Sequence, residues 1–145
     1  MLAWLIRPTA TPSQDWTSKF ENSADSSDPL GSRCGMQHDG DWVYVFSVKA
    51  GRHEGPMILR RVPWDKMADQ TAYQGWDWNG QDWGWDRPCT PILEGTFGEL
   101  RCGRKLSGGT WAMVFLDLGG PQPNIVSQAA AGPDQVWSGP IMQVT

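Results

Sequence analysis

The segment Gln74-Gly75-Trp76-Asp77-Trp78-Asn79-Gly80-Gln81-Asp82-Trp83-Gly84-Trp85 sets two pairs of tryptophans on either side of an Asn-Gly dipeptide. Asn-Gly flanked by alternating aromatic residues predicts a β-hairpin closed by a two-residue type I′ turn, because both central positions need positive φ. In that register Trp78 faces Gln81, Asp77 faces Asp82 and Trp76 faces Trp83. The period-two alternation of a strand then sends Trp76, Trp78, Trp83 and Trp85 to one face. Such an indole face either covers a core or forms a platform for flat, partly apolar ligands such as sugars. The other face opposes Asp77 to Asp82, an unfavourable pairing that solvent or Arg87 relieves, or that marks a cation site or a shared proton.

Composition points the same way. The 145 residues include 17 Gly, 11 Pro and 10 Trp with only 19% charged residues, which favours turn-rich β structure over helices. The length fits one domain with a real core. A net charge of −4 argues against nucleic acid as a partner, since phosphate binding needs a basic stripe and only Arg101, Arg104 and Lys105 cluster. Cys34, Cys89 and Cys102 match no zinc spacing and leave open one disulfide plus a thiol, or three thiols. The apolar run Met1 to Ile6 stops at Arg7-Pro8, shorter than a signal h-region or a membrane span.

Residues 1–38, rich in Ser, Asp, Pro and Gly from Thr9 onward, read as an irregular N-terminal segment with a short strand near Trp16 to Phe20, the end of a preceding blade; residues 39–145 read as sheet. Trp42 to Val48 is a buried strand, and Met57 to Val62 its antiparallel neighbour. Pro63 to Ala68 is a single helical turn with Pro at its start. After a loop from Pro88 to Gly98, Leu100 to Leu106 and Thr110 to Leu116 form a pair joined by Ser107-Gly108-Gly109. Asn124 to Ala129 and Ile141 to Val144 complete the set. Arg60 and Arg61 fall on opposite faces of their strand, one exposed and one paired.

An internal repeat ties these strands together. Residues 39–46 laid over 108–115 match Gly, Trp, Val and Phe, an offset of 69 residues from Trp42 to Trp111, and Ile58-Leu59 recurs as Ile125-Val126. Repeated sheet units at this spacing predict blades of a β-propeller, each an antiparallel sheet, with a two-halved β-sandwich as the alternative.

The residues that carry a family likeness are Asp41 to Ser47, Gly55 to Pro63, Ala68 to Tyr73, Trp83-Gly84-Trp85 and above all Leu93-Glu94-Gly95-Thr96-Phe97-Gly98-Glu99-Leu100. They resemble the C-terminal part of the actinobacterial and mycobacteriophage endo-D-arabinanase-like glycoside hydrolases, a family long known only as a domain of unknown function. The resemblance spans residues 36–118. It implies an all-β, partial five-bladed-type propeller of about two to three blades. It further implies a hydrolase acting on D-arabinan of the mycobacterial cell envelope, extracellular or phage-associated, with no cofactor and no metal. Full-length members are longer, and their acidic residues lie in N-terminal blades without counterpart here. The chain therefore reads as truncated and inactive alone, needing missing blades or a homo-oligomer, with a carbohydrate-binding or virion module as the alternative.

Glycoside cleavage uses paired carboxylates. Glu99 is the candidate catalytic residue, because Gly98 lets a backbone or ligand come close and propeller strands begin near the channel. Arg52 and His53, in the loop Ala50 to Gly55, together with Trp83, Trp85 and Glu94, are the candidate substrate-binding residues.

Overall fold

The computed structural model describes residues 2–5, 19–22, 34–48, 56–86, 88–95 and 97–144. Strand β1 (Leu2–Leu5) pairs antiparallel with β2 (Lys19–Asn22). Five strands follow in one sheet, β3 (Cys34–Asp39), β4 (Trp42–Ser47), β5 (Ile58–Pro63), β6 (Gln74–Trp78) and β7 (Trp83–Asp86), hydrogen-bonded in chain order. A second sheet holds β8 (Phe97–Lys105), β9 (Trp111–Asp117), β10 (Asn124–Ala130) and β11 (Ile141–Val144), again in chain order. Each is an antiparallel meander, the topology that short turns between neighbouring strands allow. Among the described residues the chain is all-β apart from two short 3₁₀ turns, Trp64–Lys66 after Pro63 and Gln70–Ala72 capped by the Asp69 carboxylate. The second of these turns and the strand β3 lie outside the sequence expectation; β3 extends the sheet back to Cys34 within the stretch expected to be irregular.

The repeat seen in the sequence is a repeat of register. Trp42 pairs with Pro63, Tyr44 with Arg61 and Phe46 with Leu59; at the equivalent places Trp111 pairs with Ala130, Met113 with Gln128 and Phe115 with Val126. Two segments carrying the same alternation of side chains thus make the same ladder.

The way the two ladders meet differs from a ring of blades, and no closed ring forms among the described residues. Tyr44, Phe46 and Leu59 share one face of the first sheet, and Met113, Phe115 and Val126 are their counterparts on the second. These equivalent faces pack together: Phe46, Met57, Leu59, Phe97, Trp111, Met113, Phe115 and Val126 form one buried cluster. Tyr44 meets Trp111 edge to face, with ring centroids 5.4 Å apart. A rotation carrying one blade onto the next would keep all faces turned the same way round the ring, so equivalent faces would not touch. The cause lies in what covers the other faces. Val43, Val45 and Val62, behind the first sheet, are closed off by Met67, Ala72 and Tyr73 from the segment containing the two 3₁₀ turns. The outer face of the second sheet leaves Val114, Ile125 and Ile141 exposed.

The tryptophan hairpin forms with a different register. Trp78 pairs with Trp83, Asp77 with Gly84 and Trp76 with Trp85, leaving a four-residue loop from Asn79 to Asp82. The Asn79 side chain outcompetes the two-residue turn: its Oδ1 accepts from the amides of Gln81 and Asp82, both at 2.8 Å, while Gly80 takes φ +98°. The slip is two residues, so parity is kept and all four indoles remain on one face. It removes the expected carboxylate pair. Asp77 instead accepts a hydrogen bond from the Thr90 hydroxyl at 2.7 Å. Arg87 lies outside the described residues.

Neither arginine of β5 is exposed. The Arg60 guanidinium lies over the Tyr73 ring at 5.3 Å and donates to the Ser47 hydroxyl, while Arg61 is held among aromatic rings on the opposite face. Cys89 is a partly buried thiol.

Candidate functional site

One face of the first sheet carries Trp42 and Tyr44 on β4, Arg61 on β5, Gln74, Trp76 and Trp78 on β6, and Trp83 and Trp85 on β7, all brought to the same side by register. The side chains form a continuous stack. The Arg61 guanidinium carbon lies 3.9 Å from the Trp42 ring centroid and 4.3 Å from that of Trp85. Trp85 meets Trp76 at 4.9 Å, Trp76 stacks on Trp83 at 5.7 Å with 16° between planes, and Trp83 meets Trp78 at 5.8 Å. Arg61 Nε donates to Gln74 Oε1 at 2.9 Å, fixing the guanidinium plane between the indoles.

Burial raises the Tyr44 phenol above its ordinary value; Arg61 opposes that shift, and Asp134 and Asp39 add to it. Burial also lowers the Arg61 guanidinium, against the pull of Tyr44 and Asp134. For Tyr44, a raised folded value means that the folded and unfolded chains are both protonated below the unfolded pKa of about 10. Its contribution is complete there and is lost as pH rises through the folded value. Tyrosinate absorbance of the native protein should therefore show a late component above pH ~10 that Tyr44→Phe removes, and stability should fall less steeply there in the variant. An unchanged alkaline titration in the variant would contradict the burial of this hydroxyl.

Where the indole stack reaches the end of the hairpin it lines a pocket of about 210 Å³. Its walls are Trp76, Trp83, Ile92 and Leu93 on one side and Asp134, Gln135, Val136 and Trp137 on the other. Ile92 and Leu93 are anchored by reciprocal backbone bonds with Met57, at 2.8 and 2.7 Å. The opposite wall is the loop between β10 and β11, closed at its base where Ser138 N donates to Ala129 O at 2.7 Å and Ala129 N donates to Ser138 Oγ at 3.0 Å. Trp137 packs edge to face on Phe46. Its Nε1 is buried without a hydrogen-bond partner among the described residues. Val136 is 92% exposed and Trp83 41%, so the rim of the pocket is apolar and open to solvent.

The expected site residues are distributed unevenly over this geometry. Trp83 lines the pocket, and Trp85 lies one step behind it against Arg61. Glu94 is exposed and is not among the lining residues. Glu99 belongs to β8, where the register with β9 shifts between Phe97 and Leu100; its side chain lies outside the described part of the structure. Arg52 and His53 lie outside the described residues. The residues that sequence reasoning missed are Ile92, Leu93 and the run Asp134 to Trp137. A tryptophan beside a carboxylate in a Gly-Pro-rich loop was the available signal. Among the described residues no group of three or more His, Cys, Asp and Glu side chains could hold a metal ion, and no helix is long and apolar enough to cross a membrane.

The chain is 55% identical over 127 residues to notoamide biosynthesis cluster protein J′ of Aspergillus versicolor, and 52% identical over 127 residues to notoamide biosynthesis cluster protein J of Aspergillus sp. (strain MF297-2). Each alignment covers 88% of this chain and 34% of the relative, so the chain spans about a third of the length of these curated proteins. These fungal relatives, named for a secondary-metabolite pathway, overturn the expectation of a mycobacterial or phage protein that cleaves arabinan, binds cell-envelope polysaccharide or serves as a virion module. In the segment that carried the resemblance, Leu93 bridges to Met57 and Phe97 is buried in the core, so at these positions the motif records packing rather than chemistry. Residues 5–145 match the family described as domain of unknown function DUF4185, a description that names no activity, and the chain belongs to that family.

Proposed function

We propose that this chain supplies a binding pocket for a small, flat, partly apolar molecule within a protein of fungal secondary-metabolite biosynthesis. The observation that carries this reading is the indole-walled cavity, open at Trp83 and Val136 and holding only a few polar groups, which is the usual make-up of a small-molecule site. At 210 Å³ it is smaller than the ~300–1,000 Å³ of most ligand sites, so it takes one ring system or side group while the rest of the ligand lies across the exposed rim. The relatives' names supply the metabolic setting. We read the meander, two copies of which pack together here, as the repeating unit of those longer proteins.

Calorimetric titration with a planar aromatic probe such as 2-naphthylmethanol tests the reading. Saturable binding is expected, with Trp83→Ala weakening it about tenfold or more, since indole faces supply most of the contact. Because Trp83 is 41% exposed, the same variant should keep its melting temperature within a few degrees. Absence of saturable binding to the unmodified protein would sink the proposal.

A further inference from the structure

The pocket's electrostatics narrow the ligand further. Three of its walls are indoles, Trp76, Trp83 and Trp137, whose faces carry the negative end of the ring quadrupole. Among the described residues the one charged lining residue is Asp134, whose carboxylate is approached within hydrogen-bond range by Gln135 Nε2 at 3.4 Å. Among the described residues no basic side chain lines the cavity. Arg61, which interacts electrostatically with Asp134, is committed between Trp42 and Trp85 and is not a lining residue. An aromatic enclosure with a carboxylate and no cation of its own favours a positive guest, and an alkylated ammonium sheds its water at less cost than a primary one.

We propose that the pocket selects an alkylated ammonium group, seated on the indoles beside Asp134. The inference rests on the small-molecule reading and specifies its ligand class. No covalent step is implied.

The test compares benzyltrimethylammonium with its neutral carbon isostere neopentylbenzene by calorimetry on the intact chain. The cation should bind about tenfold or more tightly, a preference that weakens with added salt. Asp134→Asn should reduce the preference to less than threefold. Asp134→Glu, which keeps the charge, should retain a preference. Equal binding of cation and isostere to the unmodified protein overturns the inference and leaves the small-molecule reading standing. Binding of none of these probes overturns the inference, and the small-molecule reading falls with it only where 2-naphthylmethanol also fails to bind. Where Asp134→Asn lacks the native near-ultraviolet circular dichroism, the salt dependence in the unmodified protein decides: a cation preference indifferent to ionic strength counts against Asp134.

Discussion

Gly103→Ala should destabilise the protein by about 3 kcal/mol, lowering the melting temperature by roughly 6–12 °C for a domain of this size. Gly103 sits in β8 with φ +29°, and a Cβ built on it would overlap three atoms of the Phe46 ring. Phe46 has nowhere to retreat. It is fully buried, packs edge to face against Trp137 at 5.8 Å and belongs to the cluster joining the two sheets. Overpacking of this kind costs about 1–3 kcal/mol, and forcing an L residue to positive φ adds about 1–2. The two sites are in contact, so their effects should not add. Phe46→Leu alone should be destabilising, yet in the Gly103→Ala background it should recover part of the loss, because the smaller side chain vacates the space the new methyl needs. Urea unfolding of the two single variants and the double variant measures the coupling. Strict additivity would show that the β8 backbone moves away instead of pressing on the ring.

The strand content of residues 42–144 was legible because β-branched and aromatic residues alternate there with Gly, Pro and Asn punctuation. Trp42 to Ser47, Asn124 to Ala130 and Ile141 to Val144 stand close to where the pattern places them. The repeat was legible too, and the register shows why: pairs such as Phe46 with Leu59 and Phe115 with Val126 need the same side chains in the same order. What alternation cannot express is which face of one sheet meets which face of another. That choice followed from the valines behind the first sheet being covered by the Met67 to Tyr73 segment, a contact between elements separated in sequence by a loop. The hairpin register was missed for a local reason, since Asn79 serves an Asn-Gly turn and a side-chain-capped four-residue loop equally well on paper. The site was half legible. Trp83 announced itself by its neighbours, whereas Asp134 and Trp137 come from a different sheet and join the pocket only through tertiary packing.

The repeat also shows how a site arises from a duplicated frame. Arg61 and Gln128 occupy the same place in the two ladders, opposite Tyr44 and Met113 respectively. In the first sheet the polar head is accommodated between Trp42 and Trp85 and bonded to Gln74. In the second, the amide oxygen of Gln128 is buried with no hydrogen-bond partner among the described residues. The difference lies in β6 and β7, whose tryptophans give the first sheet an aromatic wing that turns an inward arginine into a stacking element.

Arg61→Ala should remove about 3 kcal/mol of stability and weaken ligand binding in the neighbouring pocket together. Cation–π attraction contributes roughly 0.5–2 kcal/mol per ring depending on desolvation. The hydrogen bond to Gln74 adds about 1 kcal/mol. Truncation also leaves a gap between two indoles that the backbone of β5, paired on both sides, cannot close. The burial that lowers the guanidinium's proton affinity works against these gains, which keeps the net figure below their sum. Arg61→Lys should not restore stability, since a compact ammonium cannot lie flat between two rings while bonding Gln74. Arg61→Met separates shape from charge: it fills most of the space without the cation. If the methionine variant is more stable than the unmodified protein in urea titrations, the desolvation cost exceeds the stacking gain and the sandwich is held for geometry alone. The expected order is Arg, then Met, then Lys and Ala. The pocket should report the same order, because Trp85, released from Arg61, no longer braces Trp76 against Trp83.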